Sequence, residues 1–284
     1  MQKYNLLKGV ADVEFFYIVT AALFLIYREA SAVAADIACK ALKNVVIRSL
    51  FPMMVLTRLI AHSRSARFFT RLLSRSVIWK KLNLSDELLP IVAGGFVAGI
   101  PSSARDIGLL LKEGRINEGE AKKALALSSL PSPAFVILVA SESVSVGVVR
   151  YFLLIICAYF SSLMFRSKKS LGDGAFKKIS FTEALFASCT SALSVSASIV
   201  FFTSVTCLMS AVFPWGREMV AAFFEMGSGV IFAGGRGTLS AVCIGWCGLS
   251  AMAQIHSEAS QVSLKPYIFT RILSTATLAF LEIL

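Results

Sequence analysis

The chain has 284 residues, 56% of them hydrophobic and only 16% charged, with a mean hydropathy of +0.74 and a formal net charge of +11. Such a composition excludes an ordinary soluble domain and points to a polytopic helical membrane protein. It also turns the basic excess away from nucleic acid: no nucleic-acid partner is expected, and anionic lipid headgroups are the expected contact.

Apolar windows recur at residues 13–27, 45–61, 88–111, 124–140, 146–165, 183–213, 219–233, 238–253 and 266–284. Several reach the roughly 20 residues of a helical span, so the expected fold class is all-α with roughly 7–9 membrane segments. The first window follows Asp12 and Glu14 without a small-residue cleavage site and reads as a retained span rather than a leader. Residues 1–44 are then an N-terminal span and an interfacial helix. Next come Arg64, Arg67, Arg71, Arg75, Lys80 and Lys81 with no acid among them. On a helical wheel the arginines share one face and Phe69, Leu72, Leu73 and Val77 the other, which predicts a helix lying in the interface.

Two more charged segments follow. Lys112 to Lys123, KEGRINEGEAKK, is cationic by a small margin, and Arg166 to Lys178 carries five cations against Asp173. Placing all three segments on the cytoplasmic side forces the window 88–111 to enter and leave on one face. Broken near Ile100 and Pro101, it gives two arms of about a dozen residues, each reaching the bilayer midplane at ~1.5 Å per residue. The stretch GGFVAGIPSSARD, Gly94 to Asp106, suits the tip of this re-entrant hairpin. Pro101 lacks an amide hydrogen, Gly94, Gly95 and Gly99 allow close backbone approach, and Ser102 and Ser103 can satisfy freed backbone groups. A half-helix starting near Ser102 aims the positive end of its dipole at a cavity, with Arg105 one turn in, a setting for an anion. A proline kink closed by an Arg105–Asp106 pair is the bland alternative, which the cost of intramembrane charge disfavours.

The segment Gly248 to Gln254, GLSAMAQ, repeats the pattern of Gly99 to Arg105, GIPSSAR, and Phe224-Glu225-Met226 loosely echoes Phe51-Pro52-Met53 upstream. Two related halves, 45–165 and 183–284, joined by a basic linker at 166–182, are what transporters with a midplane site show. Ser128, Ser129 and Ser132 beside Pro131 and Pro133, then Glu225, Arg236, Ser250 and Gln254, are expected to face the same cavity. With Gly99, Pro101, Ser102, Ser103 and Arg105 they form the candidate substrate site. Ser188, Ala192 and Ser196 stand at the small-xxx-small spacing of helix packing. Cys39, Cys157, Cys189, Cys207, Cys243 and Cys247 read as small apolar residues, and no metal or cofactor is expected. A hydrolytic Ser250–His256 pair is disfavoured, because six residues along one helix turn the two about 120° apart, so no enzyme is expected.

The stretch from GGFVAGIPSSARD to SSLPSPAFVILVA resembles the gate, or nucleoside-recognition, domain and most closely the YlbJ-like sporulation integral membrane proteins. These carry a Gly-Tyr-Pro-x-Gly-Ala turn, a Glu-Ala helix after a Gly-containing loop, and a Ser/Asn-rich segment ending in Gly-Pro-x-Phe. FFEMGSG, CGLSAMAQIHSEA and LKPYIFTRIL are similar to later motifs of that family in the same order, so the resemblance covers residues 45–284. It departs at the tip, where Ile100 stands for Tyr, Ser103 for Gly, and Ser128 or Ser129 for an Asn. The resemblance implies two gate-type repeats in a bacterial cytoplasmic membrane and transport of a small organic solute. In the sporulation branch that solute is dipicolinic acid, moved across the outer forespore membrane; more distant relatives carry nucleosides. A dipicolinate dianion suits half-helix N-termini with Arg105 and Arg236. The expectation is therefore alternating access around a midplane anion site, with H⁺ or Na⁺ as coupling ion through Asp106, Glu142, Glu225 or Glu258. A nucleoside or other small-solute transporter and a non-transporting membrane scaffold are the alternatives, and a homo-oligomer is compatible with each.

Overall fold

The computed structural model describes residues 18–170 and 179–283. The start of the first apolar window, linker residues 171–178 and the Arg67 side chain lie outside the described residues, and so do the expectations placed on them.

Among the described residues every secondary element is helical. The first long element, α1 (Arg28–Ala61), has 34 residues and widens into a π-helix over Leu42–Leu50. Two short helices follow, α2 (Arg64–Leu73) and α3 (Val77–Leu82), capped by Ser63 and Ser76, whose side chains accept from Ala66 N and Trp79 N. Phe68, Phe69, Leu72, Val77 and Ile78 stay exposed while Ala66, Thr70, Trp79 and Leu82 turn into the fold. That leaves an apolar outer face of the kind an interfacial helix presents.

An order of three parts then occurs twice. First come the paired arms α4 (Leu88–Ala98) and α5 (Ser102–Lys112), the interrupted helix α6 (Glu118–Ser128) and α7 (Pro133–Leu138), and the continuous α8 (Val144–Leu163). After α9 (Phe181–Val212) the same order returns. It consists of α10 (Arg217–Phe224) and α11 (Met226–Phe232), then α12 (Gly237–Trp246) and α13 (Gly248–Glu258), and finally α14 (Lys265–Leu281). Four described stretches are long and apolar enough to cross a membrane: α1, α8, α9 and Gly237–Glu258. The last of these is α12 and α13 counted together, although Cys247 (φ 67°) and Gly248 (φ 79°) interrupt it.

Hydrogen bonds sort the loops into two ends. At one end Lys123 Nζ donates to Leu82 O, Asn83 Nδ2 to Ser167 O at 2.6 Å and Asn117 Nδ2 to Lys168 O at 2.6 Å. The fully buried Glu120 forms a capping box with Asn117 and also accepts from Ser85 N (2.7 Å) and Ser170 Oγ. Arg115 meets Glu87 at 2.9 Å, joining the feet of α4 and α5. The window 88–111 thus leaves on the side it entered, as its flanking charges require. At the other end Gly237 N donates to Glu142 (2.7 Å), and Ser240 Oγ and Arg150 both donate to Ala140 O.

α8 and α14 run antiparallel: Arg150 meets Glu282, Cys157 meets Thr277, and Ser161 meets Thr270. The pair α10–α11 accordingly approaches from the end opposite α4–α5. Along one side α9 packs on α1 through Val195, Ile199, Val46, Leu50 and Met54. Arg58 of α1 anchors this side to α5, pairing with Asp106 at 3.2 Å and donating to Ser188 of α9 at 3.4 Å.

The sequence match between residues 248–254 and 99–105 does not carry over to their positions in the fold. Residues 248–254 and 99–105 sit at breaks of different kinds, since the chain reverses at Ile100–Pro101 but continues across at Cys247–Gly248. By position in the order, Glu225 is the counterpart of the first tip and residues 129–132 of the Cys247 break. Glycine and small polar residues mark a positive φ or a close approach, and neither fixes the direction the chain takes next.

Candidate solute cavity

Each hairpin tip is seated on the helix break of its own half. In the first half Ile100 N donates to Leu130 O at 2.9 Å. Gly99, at φ 79°, lies so close to the break that a Cβ there would stand 2.6 Å from Ser132 N. In the second half a Cβ on Gly248 would stand 2.9 Å from Phe224 O and 3.0 Å from Glu225 N. All four interruptions face one cavity of about 80 Å³. Ile100, Pro131 and Ser132 come from the first half, and Glu225, Cys247, Ser250 and Gln254 from the second. Val45, Val46 and Leu50 of the π-helical stretch, with Val195 and Ile199 of α9, supply the remaining wall.

The polar groups in this wall are few and oriented. Ser132 Oγ accepts from Phe135 N and so caps α7. Glu225 Oε2 accepts from Ser228 N and, at 2.8 Å, from Ser228 Oγ, which holds the carboxylate at the second tip. Gln254 Nε2 donates to Ser250 Oγ at 3.0 Å. One carboxylate, one amide and two hydroxyls in apolar walls make a small-molecule site in composition.

Of the residues singled out in the sequence, Ser132, Glu225, Ser250 and Gln254 line this cavity, and Gly99 and Pro101 flank its lining residue Ile100. Ser103 Oγ and Ser128 Oγ bond each other at 2.8 Å, and Ser102 and Ser129 are buried near them. A Cβ on Gly95 would stand 2.8 Å from Ser128 Cβ, so Ser103 and Ser128 fasten α4 and α5 to α6, and none of the four serines is among the residues lining the cavity. Arg105 points away, donating to Ala187 O at 3.2 Å and lying 3.8 Å from Glu258. Arg236 is exposed ahead of α12 at the end opposite the basic loops.

Four carboxylates stand as coupling candidates, and their surroundings differ. Asp106 is paired with Arg58 and Glu258 lies beside Arg105. Glu142 sits in the α7–α8 loop, where the hydrogen bond from Gly237 N, with Arg150 and Arg236 nearby, holds its carboxyl below the usual range. Glu225 alone lines the cavity.

Sequence reasoning missed the π-helical wall of α1, Cys247 as a lining residue, and two arginines, Arg150 and Arg271. Both arginines are fully buried, each at the seventh residue of its helix, α8 and α14. The signal for them was an arginine inside an apolar run. All six cysteines are free, with Cys157, Cys207, Cys243 and Cys247 buried. Ser250 is buried and bonded to Gln254, whereas His256 is exposed further along α13. No family model, curated protein or solved structure matches the chain.

Proposed function

We propose that this protein is a membrane transporter that moves a small organic solute, in the first instance an anion such as dipicolinate, through the cavity by alternating access. One observation carries the reading: four chain interruptions, drawn from two halves whose last helices run antiparallel, converge on a single cavity whose mostly apolar wall holds a few oriented polar groups. Helix breaks at membrane depth need protein or a polar cavity around them, and these share one. On this reading the halves are inverted gate-type repeats. The membrane segments are eight: α1, α4–α5, α6–α7, α8, α9, α10–α11, α12–α13 and α14. Lys80, Lys81, Arg115, Lys122 and Lys168 at the first end support a cytoplasmic side for it on this reading. The bacterial cytoplasmic membrane, and by resemblance the outer forespore membrane, is the proposed location.

A cavity of about 80 Å³ holds roughly three waters, so a ring-sized solute enters only when the tips part. The moving body is the set of hairpins and broken helices, and α1 with α9 is the support it moves against. Arg58–Asp106 and Arg105–Ala187 cross that boundary and belong to one end of the stroke.

The test is flux of labelled dipicolinate, with uridine beside it, into proteoliposomes. The wild-type protein takes up dipicolinate above protein-free vesicles, and Gln254→Leu lowers uptake about tenfold, the loss of one cavity hydrogen bond to a charged solute. Arg105→Ala stays within about threefold of wild type, since its guanidinium is outside the cavity. Uptake of uridine alone would move the assignment to nucleosides, and no flux of either solute by folded protein would overturn the transport reading.

A further inference from the structure

Two charges are buried on either side of the Cys247–Gly248 break, and neither has an ionic partner of its own among the described residues. Glu225 is 6% exposed and lines the cavity, with its backbone against Gly248. Arg271 is 0% exposed. Its Nη1 donates to Cys247 Sγ at 3.4 Å and its guanidinium lies over the Tyr267 ring at 5.4 Å. Arg271 Nε and Nη2 have no hydrogen-bond partner among the described residues. Arg150, at the matching position of α8, is fully engaged by Ala140 O, Ser141 Oγ and Glu282. The contrast matters because a buried guanidinium without its hydrogen bonds is costly, and such groups inside membrane segments are usually kept for function.

We propose that Glu225 is the proton-coupling group of this transporter, and that protonating it frees the field of Arg271 for an anionic solute in the cavity. The inference rests on the transport reading above. With Glu225 ionised, the two buried charges offset each other across the break, and an incoming carboxylate meets the repulsion of Glu225. When a proton from the aqueous side adds to the carboxylate, the local balance becomes one uncompensated guanidinium. A carboxylate group in the cavity, near the N-terminus of α13, then restores it. Proton and anion favour each other's binding by the same factor and leave together on the other side.

Few other groups face Glu225. Cys243 of α12 packs behind Gly229, Cys247 closes the break, and α13 offers the neutral Ser250 and Gln254. The neighbouring walls of α1 and α9 are apolar, with Val45, Val46, Val195 and Ile199, and Arg217 pairs with Glu218 at the start of α10. Glu225 is therefore the one carboxylate among the described residues that line the cavity.

The experiment compares dipicolinate transport by wild type and Glu225→Gln in two modes. Any exchange that Glu225→Gln retains at equal pH on both sides is independent of pH, because the amide takes up no proton. Uptake driven by an inward proton gradient is lost. In the wild type the apparent affinity for dipicolinate changes about tenfold per pH unit where Glu225 is ionised, the slope for one proton per solute, and in Glu225→Gln it is flat. A pH indicator in weakly buffered detergent solution gives the same answer without a variant: one proton is taken up per dipicolinate bound. Wild-type flux with no pH slope, or gradient-driven uptake that survives Glu225→Gln, overturns the inference and leaves the transport reading standing. No exchange by the wild type overturns both.

Discussion

Gly99→Ala destabilises the protein by about 3–5 kcal/mol and abolishes solute flux. Gly99 sits at φ 79°, ψ −170°, a region open almost only to glycine, and holding alanine there costs about 1–3 kcal/mol by itself. The added methyl would also stand 2.6 Å from Ser132 N and 3.0 Å from Ser132 Cα, a collision with backbone that no rotamer relieves. To escape, the first tip must lift off the α6–α7 break, which parts Ile100 N from Leu130 O in a buried setting. Two controls separate these causes. Gly114→Ala keeps the unfavourable φ of 69° but meets nothing, so it costs about 1 kcal/mol. Gly94→Ala makes only an ordinary 3.4 Å contact with Thr57 and gains the helix propensity of alanine, so it is neutral or slightly stabilising. Thermal unfolding in detergent, followed by fluorescence and by retention on a sizing column, ranks the three. Equal melting points for Gly99→Ala and Gly94→Ala would contradict the tip geometry.

The two buried arginines answer differently to the same change. Arg150→Met costs about 3–5 kcal/mol, because Glu282 loses the donors that bind it at 2.9 and 2.7 Å and Ala140 O loses its 2.6 Å bond. A second change, Glu282→Leu, recovers much of that loss by removing the stranded carboxylate. Arg271→Met is close to neutral or stabilising, since the replaced guanidinium leaves two of its nitrogens, Nε and Nη2, unpartnered. The signature of a functional Arg271 is therefore preserved stability with weakened binding of dipicolinate, read by melting point and by equilibrium binding on one preparation. Equal destabilisation by both substitutions would make Arg271 a structural residue like Arg150.

Part of this was legible in the sequence. The reversal of the chain within 88–111 was expected from the charges on both sides of the window together with Gly99 and Pro101, because an odd number of crossings puts a basic segment on the wrong side. The second tip was not legible as a tip, since FFEMGSG contains no proline. Its break is made by the Glu225 side chain capping Ser228, a choice visible only once the helix ends there. The π-helical widening of Leu42–Leu50 leaves no mark in hydropathy. Arg105 read as a cavity residue because it stands one turn into α5. Its face of the helix is set by Ala187 on α9, more than 80 residues away in the chain and beyond the reach of local pattern. Long separation also hid the Arg150–Glu282 pairing, whose partners lie 132 residues apart.

On the transport reading the four interruptions enclose a cavity open to each side in turn. The most direct measurement of that alternation is labelling of a single cysteine, Ser132→Cys in a background without the six native cysteines, by a membrane-impermeant maleimide on right-side-out and on inverted vesicles. Alternating access gives reaction from both sides, slowed from both by dipicolinate. Reaction from neither side, or from one side only and indifferent to solute, would contradict it.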